Sequence, residues 1–448
     1  MASPHRSLWW DQLLTARPQE AVPRPPLDGD TTADVAVVGA GLTGLWTAYY
    51  LQEADPGLDV LVLDQDVAGA GASGRSSGWC SARLGVSAAE LARLHGAEGA
   101  RDLRAAMRDA VVEVGGVAAA EHLACDFTYA GTVSVARNGA QLARLRAHAA
   151  EAAAWGDELE LLGPDEVATH LVAAGVLGGA YTPDCAFLQP AALVRQLADL
   201  VVSRGARLVE HTRAVRISPR AVVTLHGTVR ARWVVRAVEA WSAQLPGSAR
   251  DVAPVRTQLL ATEPLDQQFW ERIGLRPGGT FEDVAHLALR GVRTTDDRLV
   301  LGGRAAGGAI RAFDEVPGDL DAPWERFERG LRSLFPAADG VAVTHRWGGP
   351  VGVPRDGHPS VGLDAESGLG WAGGYGDDGV AAANLAGRTL ADLVTGADSP
   401  LVHLPWVGHR SPRWARGVVR SAEVTAAGWA ARLADEAETL AERRSGGR

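Results

Sequence analysis

The sharpest change of hydrophobic rhythm in the chain lies between residues 33 and 64. Val35, Ala36, Val37 and Val38 form an unbroken apolar run, the pattern of a strand buried on both faces. The run breaks at Gly39-Ala-Gly41-Leu42-Thr43-Gly44, which opens a helix, and a second apolar run, Val60–Leu63, ends at Asp64. Helical spacing of Leu and Ala fills 86–150, with strand signals at 127–136, and a further amphipathic helix is predicted at 193–202. Strand patterns alternate through 207–235. Longer strands are predicted at Ala253–Thr262 and 299–302, a helix at 321–335, a short strand at 371–374 and an Ala- and Leu-rich helix at 379–394. An amphipathic helix is predicted at 422–444, and residues 1–32 read as a Pro-rich arm carrying Trp9 and Trp10. No internal repeat is detected.

Three glycine-rich segments carry candidate chemistry. In the first, Gly39 permits a tight turn, Gly41 lets backbone approach a pyrophosphate, and Gly44 lets the helix pack close to the sheet. The helix start at Leu42 and Thr43 offers N–H groups to phosphate. Asp64, twenty residues after Gly44, is placed for ribose hydroxyls. A lone GxGxxG is weak evidence in a chain with 53 glycines; a strand before, a helix after and an acid at the next strand's end make it strong. The second segment, Gly71, Ala72, Ser73, Gly74 and Arg75 with Gly78 and Trp79, reads as a loop that wraps a phosphate-bearing cofactor, or else as a surface linker. The third runs through Gly374, Tyr375, Asp377, Asp378, Gly379 and Val380 into a helix. It reads as another anion site, here for the charge of a reduced flavin, or else as a plain strand–turn–helix with Asp378 as its cap.

Composition narrows the classes. A net charge of −10 argues against nucleic-acid binding, and no apolar run approaches the ~20 residues of a membrane helix. The N-terminus lacks the apolar stretch of a signal peptide, so a cytoplasmic location is expected. Cys80, Cys125 and Cys185 are odd in number and widely spaced, which indicates neither a disulfide framework nor a metal site. All 44 basic residues are arginine and lysine is absent; 14 tryptophans outnumber 7 Phe and 5 Tyr together. Most of these tryptophans are expected in packing, although Trp is also a good wall for an organic cation.

In order and content these segments resemble the FAD-dependent oxidoreductases of the D-amino-acid oxidase superfamily, which includes glycine, sarcosine and γ-glutamylputrescine oxidases. The likeness spans about 33–395, with GASGR-x-x-G at 71–78 typical of the family's FAD loop. WGGPVGV at Trp347 and GGYGDDGV…NLAGRTLADL at 373–393 look most like the γ-glutamylputrescine branch. The resemblance implies an α/β fold: a discontinuous Rossmann-like FAD domain at 33–85, 184–247 and 348–395 and an inserted antiparallel-sheet substrate domain at 86–183 and 248–347. The arm at 1–32 and a tail at 396–448 flank them. It implies oxidation of an amine to an imine by hydride transfer to FAD, with oxygen commonly reduced to hydrogen peroxide.

Departures from relatives refine that expectation. No cysteine stands in 347–356, where members with covalent FAD carry one, so non-covalent FAD is expected. The arginine and lysine that anchor small amino acids in relatives are replaced by Val351 and Ala381, which disfavours a simple α-amino acid unless Arg290, Arg304, Arg346 or Arg355 substitutes. A polyamine-like or natural-product amine is expected instead. The lysine that assists oxygen in several relatives is absent, leaving arginine or His286, His345 and His358 to supply charge near the flavin. His345, Arg346 and Trp347 are the expected catalytic residues. Competing readings are a dehydrogenase with another electron acceptor, a flavin monooxygenase, and a non-catalytic FAD-binding scaffold or sensor. The sequence leaves oligomeric state open.

Overall fold

A computed structural model of the protein describes residues 7–309 and 324–445. The start of the arm (1–6), residues 321–323 of the expected helix and the last residues of the tail lie outside the described residues. The fold is mixed α/β, with two eight-stranded sheets and a small three-stranded one among the described residues.

The first sheet is built on the apolar runs of the opening segment. Thr31–Val38 pairs in parallel with Val60–Leu63 on one side and Thr228–Arg236 on the other. Leu369–Gly373 extends the parallel set beyond Thr228–Arg236, and Arg207–Val209 extends it beyond Val60–Leu63. The strands Ala214–Ser218, Ala221–Thr224 and Ser360–Asp364 complete it in antiparallel fashion. Helix Leu42–Ala54 follows the first strand directly and is buried on nearly every side, so its amphipathic moment vanishes and only the flanking pattern reveals it. The turn between them demands glycine. Gly39 sits at φ 110°, and a Cβ on Gly44 would lie 1.9 Å from the Gly39 carbonyl. Helix Gly379–Thr395 packs beside it.

The second sheet runs in the order Val343–Val353, Ala253–Thr262, Leu299–Ala309, Arg290–Arg293, Thr280–Asp283, Thr132–Ala136, Gly178–Thr182, Glu160–Leu162. All neighbours are antiparallel except Thr280–Asp283 with Thr132–Ala136. Helix Glu325–Leu334 covers one face of this sheet with Phe327, Leu331 and Leu334. Strand Val343–Val353 runs unbroken in this sheet across residues 347 and 348, and the chain rejoins the first sheet at Ser360.

Residues 8–16 form a helix whose Ser7 accepts a hydrogen bond from the Trp10 N–H, and Leu8, Trp9, Trp10 and Leu13 are buried in the main core. This part of the arm is therefore a core element rather than a strap lying over the body. Trp9 packs against Phe187 and Trp347, both ring centroids 6.0 Å away.

Candidate active site

A cavity of about 1420 Å³ opens between the two large sheets. One end lies at the carboxyl ends of the parallel strands, where α/β sheets bind ligands. Gly39, Gly41, Leu42 and Thr43 line it, with Asp64 and residues of the loop 69–77 beside them. Gly41 caps helix Leu42–Ala54 with no side chain. The Ser73 hydroxyl accepts from the Leu42 N–H at 2.9 Å, which fastens the second glycine-rich loop to the first. Asp64 accepts from the Ala40 N–H at 2.7 Å and the Asp66 N–H at 2.9 Å, one on each carboxylate oxygen. Each oxygen keeps capacity for a further donor such as a ribose hydroxyl. Burial pushes the Asp64 carboxyl up to about 7. Arg75, half-buried, has an Nε that finds no partner among the described residues, an unspent donor where a phosphate is expected. These features fit a dinucleotide: a positive helix end, an unpartnered Arg75 Nε and an acid with free lone pairs.

The loop 69–79 is held from beneath by tryptophans. The Trp9 indole donates to the Ser76 carbonyl at 2.8 Å, and the Trp347 indole donates to the Arg75 carbonyl at 2.9 Å. Gly71, Ala72, Ser73 and Arg75 line the cavity together with Trp79, whereas Gly74 and Gly78 shape the loop from positions behind that wall.

The three expected catalytic residues do not line the cavity. Period-two alternation places Arg346 opposite Leu260 on the far face, where it pairs with Glu328 of the covering helix. His345 and Trp347 share the near face, but the N-terminal helix covers them. His345 lies 3.1 Å from Asp11, and Trp347 is buried beneath the loop. Farther along the same strand, Gly349, Pro350 and Val351 clear that helix and reach the cavity. His358 also lies outside the lining. His286 lies within it, in contact with Glu438.

What the structure places at the other end is a network of four charges. Arg83 donates to Glu282 at 2.6 Å. Arg290 donates to both oxygens of Asp378, at 3.0 and 3.3 Å, and approaches Glu282 at 3.5 Å. Ser81 donates to Asp378 and Ser134 to Glu282, each at 2.9 Å. The Arg290 guanidinium lies 5.4 Å from the Trp79 ring centroid. Burial alone pushes both carboxyls up, but Arg83 and Arg290 outweigh it, holding Glu282 and Asp378 below the usual carboxylate range. The Asp378 side chain makes no capping hydrogen bond to helix Gly379–Thr395 and is committed to this network instead. Arg304 is paired with Asp377 at 2.6 Å.

The glycine-rich turn before that helix is also occupied. Glu239, at φ 47°, accepts from the N–H groups of Gly374 (2.9 Å), Tyr375 (3.1 Å) and Gly352 (2.6 Å). Two of the donors expected to face an anionic flavin are thus held by a protein carboxyl, which burial pushes up to about 7. Gly379 and Val380 line the cavity beyond it, and the Tyr375 hydroxyl sits 3.4 Å from Thr43. Sequence reasoning missed Glu239, although a charged residue just past a buried parallel strand was a usable signal. Arg83 and Glu282 gave none, because their pairing spans 199 positions.

Comparison with known proteins agrees with this geometry. The family model DAO, FAD dependent oxidoreductase, matches residues 34–393. A probable oxidoreductase OrdL of Rhizobium meliloti is 31% identical over 402 residues, 88% of this chain and 89% of that protein. The gamma-glutamylputrescine oxidoreductase of Escherichia coli is 29% identical over 403 residues, covering 87% and 92%. Among solved structures, glycine oxidase from Geobacillus kaustophilus superposes with a TM-score of 0.65 at 22% identity, covering 84% of this chain and 99% of that one.

Proposed function

The chain belongs to the DAO family of FAD-dependent oxidoreductases, and on that premise we propose that it oxidises the C–N bond of a primary or secondary amine to an imine. FAD bound in the cavity supplies the hydride acceptor. The observation that carries the amine assignment is the Arg83–Glu282–Arg290–Asp378 network. The two guanidiniums are balanced by the two carboxylates, so this wall offers no uncompensated positive charge to an α-carboxylate, while the lone pairs left on Asp378 and Glu282 can accept an amine N–H. Asp378, fixed by Arg290 and Ser81, orients the nitrogen. Trp79, Leu259 and Val351 form the apolar wall that keeps water from the reacting carbon. The gamma-glutamylputrescine relative supports a polyamine-like substrate.

At the cofactor end, Arg75 and the first turn of helix Leu42–Ala54 hold the phosphates and Asp64 the ribose. FAD is held without a covalent bond. Cys185, the cysteine of the lining, is buried, accepts a hydrogen bond from the Thr280 hydroxyl and is pushed by burial up to about 11, a protonated thiol rather than a nucleophile. The cofactor unit is assigned to 33–85, 184–247 and 348–395 and the substrate unit to 86–183 and 248–347, with strand Val343–Val353 of the second sheet crossing the last boundary. Oxygen is the proposed electron acceptor, although the chain has no lysine and Arg83 and Arg290 are paired with carboxylates. The absence of lysine supports a second reading, transfer to an acceptor other than oxygen. Reoxidation of amine-reduced protein separates the two: return of the flavin band within seconds of admitting air supports the oxidase. A band that returns only with an artificial acceptor supports the dehydrogenase.

A further inference from the structure

Outside the cavity, three histidines from distant parts of the chain meet. His95 lies in helix Ala88–Ala120 just before Gly96, whose φ of 82° interrupts the helix. His358 follows strand Val343–Val353, and His409 lies beyond the last strand. One ring nitrogen from each falls within 4.8 Å of the other two. His358 and His409 rings are 4.0 Å apart, and His95 stands edge-on to them at 5.4 and 6.1 Å.

The hydrogen bonds fix which nitrogens are free. His358 Nδ1 lies 2.7 Å from the Pro359 carbonyl, an acceptor only, so Nδ1 carries the proton and Nε2 keeps its lone pair. That Nε2 is fully buried and has no partner among the described residues. His409 Nε2 lies 2.9 Å from Asp356, which assigns its proton there and leaves Nδ1 as a lone pair. Asp356 is itself held by the His358 N–H at 3.0 Å and Ser411 at 2.8 Å. Imidazoles backed by a carbonyl and a hydrogen-bonded carboxylate are the usual outer partners of metal-binding histidines.

We propose that His95, His358 and His409 bind one divalent transition-metal ion, Zn2+ by the chemistry of the donor set, with water in the fourth position. Three neutral imidazoles suit borderline metals. Reaching Zn–N bonds of about 2.0–2.1 Å requires the exposed His95 to swing inward and the His358–His409 stack to splay. The ion would join helix Ala88–Ala120, the loop after strand Val343–Val353 and the segment around Val407, which bridges Val361. It is a structural tie, independent of the flavin chemistry.

The test uses the full-length FAD-loaded protein, stripped by a chelator and titrated with Zn2+ by calorimetry and with Co2+ by visible absorption. The expected result is one equivalent per chain, a Co2+ spectrum of tetrahedral intensity and a thermal midpoint that rises with Zn2+. His95→Ala, at an exposed position that leaves the fold intact, weakens binding at least tenfold, and Asp356→Asn weakens it by about ten- to a hundredfold. The exposed His403→Ala leaves binding unchanged. Absence of stoichiometric binding, or equal affinity in the wild type, His95→Ala and His409→Ala proteins, overturns the proposal.

Discussion

Arg290 illustrates how much rests on single side chains. Its guanidinium reaches Asp378 through two nitrogens, approaches Glu282 and lies near the Trp79 ring, so its length and planarity both matter. Arg290→Leu should leave FAD content unchanged, while Asp378, released from its partner, titrates higher and loses its aim. The rate of flavin reduction by amine is expected to fall by about a hundredfold; Arg290→Lys, with a point charge in place of the fork, should fall in between. Stopped-flow reduction checks both. Glu239 gives a prediction in pH. Its carboxyl, like that of Asp64, titrates near 7 in the fold against 4.5 and 3.8 for unperturbed Glu and Asp. The folded state therefore holds protons that the unfolded state has released, and stability falls as pH rises from about 4 through 7. The thermal midpoint of FAD-free protein should be higher at pH 5 than at pH 8, and Glu239→Gln should flatten that slope.

At the scale of elements, the clearest lesson comes from strand Val343–Val353. Its motif points to a site, and the strand does reach the cavity, but through Gly349–Val351 rather than the bulkier residues before them. Strand periodicity separates Arg346 from its neighbours. What covers the other face, the helix of Trp9 and Trp10, lies more than three hundred residues away in sequence. Trp347 and Trp9 then act on the cofactor loop as paired donors to the carbonyls of Arg75 and Ser76. Trp347→Phe and Trp9→Phe each delete one hydrogen bond worth about 0.5–1.5 kcal/mol. FAD fluorescence titration should show roughly two- to tenfold weaker binding in each, with the reduction rate of the loaded protein preserved. The βαβ opening and the C-terminal helix were legible because local chemistry fixes them: apolar runs, obligatory glycines, an acid at a strand end. Strands Thr280–Asp283 and Arg290–Arg293 were not, since their polar residues look like loop until Arg83 and Asp378 neutralise them.

At the scale of the molecule, the same kind of pairing holds the chain's segments together. Glu210, with no side-chain exposure, accepts from the Arg195 guanidinium at 2.5 Å, the Ala68 N–H at 2.8 Å and the Arg24 N–H at 2.6 Å. It thereby binds the end of the N-terminal arm, helix Pro190–Ser203 and the approach to the FAD loop to one point. Glu210→Gln strands Arg195, 1% exposed, and should cost about 3–5 kcal/mol by denaturant unfolding. The central claim concerns the cavity between the sheets, and it is tested most directly by the visible spectrum of purified, FAD-loaded protein kept anaerobic during addition of primary and secondary amines and of α-amino acids. Bleaching of the flavin band by an amine, with small α-amino acids leaving it intact, is the predicted result. Bleaching by α-amino acids alone, or by none of these compounds, contradicts the account.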